Sequence, residues 1–152
     1  MMLSRFVASG FGTGYASLVP GTVGSAAAAL IGALLLWVSP WLLVLAIVVA
    51  SIGGHEAVRR AVTQGDPTWV VIDEFAGQWV TLLALPKPSV AGVLAAFVLF
   101  RIFDITKLGP IGWADRQHGA FGIMADDVIA GVVAALVLVA IRFIWPATLS
   151  WM

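Results

Sequence analysis

Two pairs of adjacent carboxylates, Asp73-Glu74 and Asp126-Asp127, flank a single Asp104 in the chain. Each lies at or inside an apolar run, where charge is costly and usually marks a site. Carboxylates brought together without partners repel one another. They become favourable around a hard divalent cation, and Mg²⁺ takes such oxygens together with water and substrate phosphate. These residue types therefore point to a metal held by Asp73, Glu74, Asp104, Asp126 and Asp127. The competing explanation is helix capping, in which Asp73 and Asp126 favour an N-terminal dipole. Capping covers one acid of each pair. It does not cover Asp104, at the C-terminal end of its run, where the dipole disfavours an acid.

Basic residues accompany the acids. Arg101, Asp104 and Lys107 recur at three-residue spacing and so share a helical face. With Arg116 they could receive a phosphate, to which arginine is suited by its bidentate fork. Alternatively, Arg101 only neutralises Asp104, and Lys107 and Arg116 only set topology. The segment from Gly10 to Ser25 is glycine-rich and runs into a helix start, where free N–H groups attract anions. Thr22 and Ser25 are its candidate phosphate contacts or caps, although no Gly-Lys-Ser/Thr follows and packing explains the glycines equally well. His118 lies in a polar stretch near the acids and could shuttle a proton or contact the phosphate. Glu56 with Arg59 or Arg60 reads as a surface ion pair. Gly77 follows Asp73 by four residues and Gly131 follows Asp127 by four, so each shares its acid's helix face. Small residues there would let two helices approach closely.

The elements that must position these groups are membrane helices. The chain has 152 residues, 61% hydrophobic and 11% charged, and its mean hydropathy is +1.05. A soluble domain carries about 25% charged residues. The expected architecture is an all-α integral membrane bundle of four to five apolar helices, forming one domain over residues 1–152. The expected runs are 23–38, 41–52 with a polar continuation through Arg60, 69–85, 89–103 and 125–145, with Pro146 ending the last. Residues 108–122 read as a polar loop, and 1–21 as a loop or short helix with tight turns. Several runs are near 17 residues, the lower limit of a crossing.

If all five cross, the chain ends and turns carrying Arg5, Arg59, Arg60, Arg101, Lys107 and Arg116 share one side, and Lys87 and Arg142 occupy the other. The positive-inside rule makes the first side cytoplasmic. All eight acids fall on that side. Trp37, Trp41, Trp69, Trp113, Trp145 and Trp151 lie near run ends, as interfacial anchors do. The N-terminus does not fit a signal peptide. A net charge of zero and the lack of a basic run exclude nucleic acid as a partner. With no cysteine, disulfides, thiolate metal sites and cysteine nucleophiles are excluded. There is no Gly-x-Ser-x-Gly elbow, and Asp104-Ile105-Thr106 lacks the second aspartate of aspartyl-phosphate phosphatases.

Three blocks in order carry a family resemblance. They are Pro20-Gly21-Thr22-Val23-Gly24-Ser25, then Asp73-Glu74-Phe75-Ala76-Gly77-Gln78-Trp79, then 100–107 together with 122–131. The chain resembles the phosphatidylglycerophosphatase A family over about Gly10 to Trp145. The resemblance implies a Mg²⁺-dependent bacterial membrane enzyme that converts phosphatidylglycerophosphate, its lipid substrate, to phosphatidylglycerol and phosphate. It implies that Asp73, Glu74, Asp104, Asp126 and Asp127 are the acidic motif residues, with Arg101 and Lys107 as basic partners. Leu108 stands where the family usually has proline, and Gly119-Ala120 where it has a glycine pair. Both bear on loop stiffness rather than chemistry. Asp127 or Glu74 is the expected proton acceptor from an attacking water, and an aspartyl-phosphate intermediate is the alternative. The rival to an enzyme is a small cation-binding, transporter-like membrane protein. That rival needs charge spread through the membrane depth, whereas here it gathers at one side.

Overall fold

The computed structural model describes residues 1–145 and contains seven α-helices and no strand among them. They are α1 (Met2–Ala8), α2 (Pro20–Val38), α3 (Pro40–Ala61), α4 (Ile72–Leu82), α5 (Val90–Thr106), α6 (Pro110–Asp115) and α7 (Gly119–Ile144). The starts follow local chemistry. Ser39 accepts from the Trp41 backbone N–H at 3.2 Å ahead of Pro40. Ser89 accepts from the Gly92 N–H at 3.0 Å. Pro40 and Pro110 stand at first helical positions, where the missing donor is harmless. Neither Thr22 nor Ser25 caps α2. Its cap is Val19, held at φ 44°, while Ser25 Oγ donates back to the Gly21 carbonyl at 2.7 Å.

Three helices, α2, α3 and α7, are long and apolar enough to cross a membrane, at 19, 22 and 26 residues. α5 has 17 residues, at the short end of the roughly 17–25 that span a bilayer. The run expected over 69–85 does not form a spanning helix. α4 has 11 residues, or about 16 Å against a hydrocarbon core of about 30 Å. It lies inside the bundle, packed against α2, α3, α5 and α7, with every residue but Val80 buried. Its apolar composition serves a protein interior rather than lipid. A non-spanning segment at depth is tolerated where it is enclosed by protein.

The chain still reaches the far end beyond α4. Residues 83–89 turn beside the α2–α3 junction, where Pro86 and Pro88 line a cavity with Trp37 and Pro40. There Arg142 Nη1 donates to the Ala84 carbonyl at 2.8 Å. The alternation of direction inferred from the sequence therefore holds. The N-termini of α2, α4 and α7 and the C-terminus of α5 meet at the opposite end.

Outward faces are apolar: Leu34, Val49, Leu94 and Leu136 are all exposed. Such faces suit lipid contact rather than water. Trp37, Trp41, Trp113 and Trp145 are exposed near helix ends, as anchors would be. Trp69 instead lies under the Arg5 guanidinium, 5.0 Å from its ring centroid, and stacks on Tyr15. Pro146 and Trp151 lie outside the described residues.

The crossing of α4 over α7 is set by two glycines. A Cβ on Gly77 would strike the Asp127 carbonyl, and one on Gly131 would strike the Gly77 carbonyl. Backbone therefore rests on backbone, the close approach expected of small residues. Thr81 Oγ1 bridges the pair, donating to the Gly77 carbonyl at 3.0 Å and lying 3.3 Å from that of Gly131. On the other face of α4, Trp79 Nε1 donates to the Ala28 carbonyl of α2 at 2.8 Å. We expect Trp79→Phe to lower stability by about 1 kcal/mol through that bond, read as a small fall in the unfolding midpoint in detergent. An unchanged midpoint would show that the bond contributes nothing net.

Candidate active site

The converging helix ends form a cavity of about 330 Å³. Asp73 and Glu74 reach it from the first turn of α4. Asp127 reaches it from α7, and Arg101 and Asp104 from the last turns of α5. α7 starts at Gly119, not near Ala125, so Asp126 and Asp127 stand in its third turn. Capping therefore cannot explain either of them. The earlier start follows from α6, also unforeseen in what read as a polar loop. Pro110 opens it, Ile111 and Ala114 bury its inner face, and it packs on α7.

One carboxylate oxygen from each of Asp73, Glu74 and Asp127 lies within 4.8 Å of the others, and all three residues are buried. At that spacing each like-charged pair repels by roughly 3 kcal/mol at an effective dielectric of about 20. The dipole at the start of α4 returns only about 0.3–1 kcal/mol. One cation is near. Arg101 Nη1 lies 3.9 Å from Glu74 Oε1, but it is already paired with Asp104 and accepted by Ser25 Oγ at 3.3 Å. Arg101 thus serves two carboxylates at once, Glu74 and Asp104. In addition, Glu74 Oε2 is buried with no hydrogen-bond partner among the described residues. An orphaned carboxylate oxygen inside an acid trio fits a bound cation. Asp73, Glu74 and Asp127 are the residues placed to hold one.

Asp104 and Asp126 are placed differently from the trio. Asp104 faces Arg101. Asp126 Oδ2 accepts from Lys107 Nζ at 2.5 Å, and Lys107 also pairs with Asp115. Lys107 does not continue the face of α5. It is the C-cap at φ 49°, which turns its ammonium toward α6 and α7. Burial alone would lower its pKa, but the bonds to Asp115 and Asp126 outweigh burial and raise it. It stays charged across the physiological range.

The remaining predicted residues divide. Thr22 lines the cavity with Gly21, while Ser25 lies behind it and orients Arg101. His118 lines an adjoining polar cavity of about 410 Å³ with Gln64 and Gln117, sharing only Asp66 and Asp126 with the first. Arg116 is exposed on the end of α6 and is not among the residues lining the acid cavity. Gly10 and Gly14 pack against Phe75 and the Trp69 backbone rather than facing the cavity. Glu56 pairs with Arg59 at 2.7 Å and Arg60 at 2.5 Å, away from the site.

Two participants were missed. A side chain on Gly21 would collide with the Glu74 carboxylate, so this glycine makes the room in which Glu74 and Arg101 meet. Its signal was its place in Pro20-Gly21-Thr22, directly before an apolar helix. Asp66 lines both cavities from the 62–71 connection, and as a lone acid in a turn it gave no signal.

Comparison with known proteins agrees with this picture. The model of the family described as phosphatidylglycerophosphatase A matches residues 6–142. Phosphatidylglycerophosphatase A of Escherichia coli (strain K12) is 43% identical over 147 residues, covering 93% of this chain and 85% of that protein. The Haemophilus influenzae protein of the same name is 38% identical over 145 residues, covering 91% of this chain and 88% of its own. A Bacteroides thetaiotaomicron protein named "Putative phosphatidylinositol-3-phosphatase" is 35% identical over 153 residues, covering 93% and 95%. No solved structure matches.

Fold, site and relatives together define an all-helical phosphatase. Within that class, the chain belongs to the phosphatidylglycerophosphatase A family. The cation-transport reading falls with that membership.

Proposed function

We propose that this enzyme hydrolyses phosphatidylglycerophosphate to phosphatidylglycerol and phosphate, with Mg²⁺ held by Asp73, Glu74 and Asp127. The observation that carries this reading is the buried carboxylate trio, with oxygens within 4.8 Å of one another, in a cavity that also presents Arg101 and Lys107. A divalent ion bound there would polarise the phosphoryl oxygens and acidify a water. Arg101 and Lys107 offset charge on the phosphoryl group as it develops. Thr22 lines the same cavity, and its hydroxyl adds a donor. Glu74 or Asp127 takes the proton of the attacking water. Asp104 and Asp126 act through the cations they hold, fixing Arg101 and Lys107 in place. Arg116 and His118 serve at the aqueous rim. All of 1–152 acts as one phosphatase unit.

Positive charge on the Arg59, Arg60, Arg101, Lys107 and Arg116 side supports a site facing the cytoplasm across the bacterial inner membrane.

The test is phosphate release by the purified protein in mixed micelles. Phosphatidylglycerophosphate should be turned over with Mg²⁺, at least about 100-fold less after chelation, and again once Mg²⁺ is restored. Phosphatidylinositol 3-phosphate, suggested by the name of the Bacteroides relative, is the competing substrate. A higher kcat/KM on it would overturn the headgroup assignment. Full activity after chelation would overturn the metal.

A further inference from the structure

The acid cavity, at about 330 Å³, is at the small end of ligand sites, which run roughly 300–1,000 Å³. It suits a phosphate headgroup and leaves no room for two acyl chains, which must stay in the bilayer. The rim therefore needs an apolar edge where the lipid's glycerol backbone can cross. Toward α6 and α7 the rim is charged, with Asp66, Lys107 and Asp126. Toward the gap between the start of α2 and the end of α5 it carries Val19 and Ile105, each 66% exposed.

Both residues continue into apolar tracks. Ile102 lies one turn below Ile105 and Val23 one turn below Val19, and both are exposed. Val19 is held at φ 44°, a genuine outlier for a β-branched residue. An exposed side chain gains little packing to offset such strain, and strain of this kind gathers at ligand clamps. Small residues on this side, Gly21 and Thr22, leave the slot open to the acids.

We infer that the slot between α2 and α5, with Val19 and Ile105 as its lips, admits the phosphomonoester lipid sideways from the bilayer. The glycerol backbone seats between Val19 and Ile105, and the chains lie along Ile102 and Val23. This rests on the lipid phosphatase reading above.

Two measurements test it. The first compares a long-chain phosphatidylglycerophosphate in micelles with a water-soluble dibutanoyl analogue. Val19→Asn suits the left-handed backbone, and Ile105→Asn is its partner variant. Each should raise KM for the long-chain lipid about tenfold, the loss of one to two methylene contacts, with kcat nearly constant. The analogue's kcat/KM should fall by less than about threefold. Equal losses on both substrates, or the same loss from Leu45→Asn on the exposed face of α3, would overturn the slot.

The second measurement reads binding without turnover. The chain has no native cysteine, so Ile105→Cys or Leu45→Cys can carry a single bimane. In vesicles, doxyl-chain phosphatidic acid should quench the label at position 105 at least about threefold more than doxyl-chain phosphatidylcholine, as for a lipid whose phosphomonoester is held nearby. At position 45 the two lipids should quench equally. Equal quenching at 105 overturns the slot whether or not the protein is active. Selective quenching at 105, with no phosphate released from phosphatidylglycerophosphate by the unlabelled protein, would leave the slot standing and overturn the substrate reading instead.

Discussion

Asp73→Asn and Asp127→Asn should each lower kcat by about 10³-fold or more while raising thermal stability in metal-free detergent solution. The two effects have one origin. In the absence of a cation, Asp73, Glu74 and Asp127 sit together inside a buried cavity, where keeping all three ionised costs up to roughly 3 kcal/mol per pair. Neutralising one acid removes two of the three repulsions at nearly constant volume. The same change removes an oxygen ligand and a negative charge from the place where a divalent ion would organise the reaction, an effect of several kcal/mol on the barrier. Phosphate release and unfolding midpoints, each with and without Mg²⁺, separate the outcomes. If the acids were only structural, stability and activity would fall together. An Asp127→Asn protein keeping a tenth of the parental kcat would remove Asp127 from the chemistry.

Gly77→Val should abolish the native fold. Its Cβ would meet the Asp127 carbonyl and, at 2.6 Å, the Phe100 ring. Phe100 is fully buried and a carbonyl inside a helix cannot rotate away, so neither neighbour can yield. Overpacking with flexible neighbours costs about 1–3 kcal/mol, and a backbone clash belongs at or beyond the top of that range. The helices would have to part, which moves Asp127 away from Asp73 and Glu74. Gly77→Ala should already lower the unfolding midpoint measurably. Gly53 on α3 is the control, because a Cβ there meets nothing within 4 Å. Gly53→Ala should be neutral or stabilise by up to about 1 kcal/mol through helix propensity. A Gly77→Val protein with parental melting and turnover would refute the backbone contact.

The acids were legible because charge inside apolar sequence has few innocent explanations, and because turn counting placed them at one end. Spacing alone put Gly77 and Gly131 on the faces of their acids but left close packing level with ordinary glycine use in membrane helices, and the carbonyl contacts decide for packing. What escaped has physical reasons. Trp69 to Leu85 is as apolar as a spanning run, and composition does not distinguish a helix sheathed in protein from one sheathed in lipid. Only the partners of α4 reveal the difference. The start of α7 was misplaced because Gly119 and Gly122 look like loop residues, whereas a side chain on Gly122 would meet the Gln117 carbonyl. Lys107 seemed to share a face with Arg101 and Asp104, but its left-handed conformation is a tertiary outcome that spacing does not encode. The pairing of Asp104 with Arg101 and of Asp126 with Lys107 likewise required coordinates, since five acids and two cations can be matched in several ways.

The short inner helix has a mechanical consequence. Bilayers differ in thickness, and spanning helices answer by tilting or by deforming the lipid around them. In this protein the helices long and apolar enough to cross, α2, α3 and α7, carry exposed apolar faces that would take up that adjustment. α4 lies inside the bundle with every residue but Val80 buried, and it is clasped to α7 through main-chain contact that tolerates no sliding. The spacing of Asp73 and Glu74 from Asp127 is thereby insulated from the surrounding lipid. A phosphatase built this way keeps its acids in register when the helices around them shift.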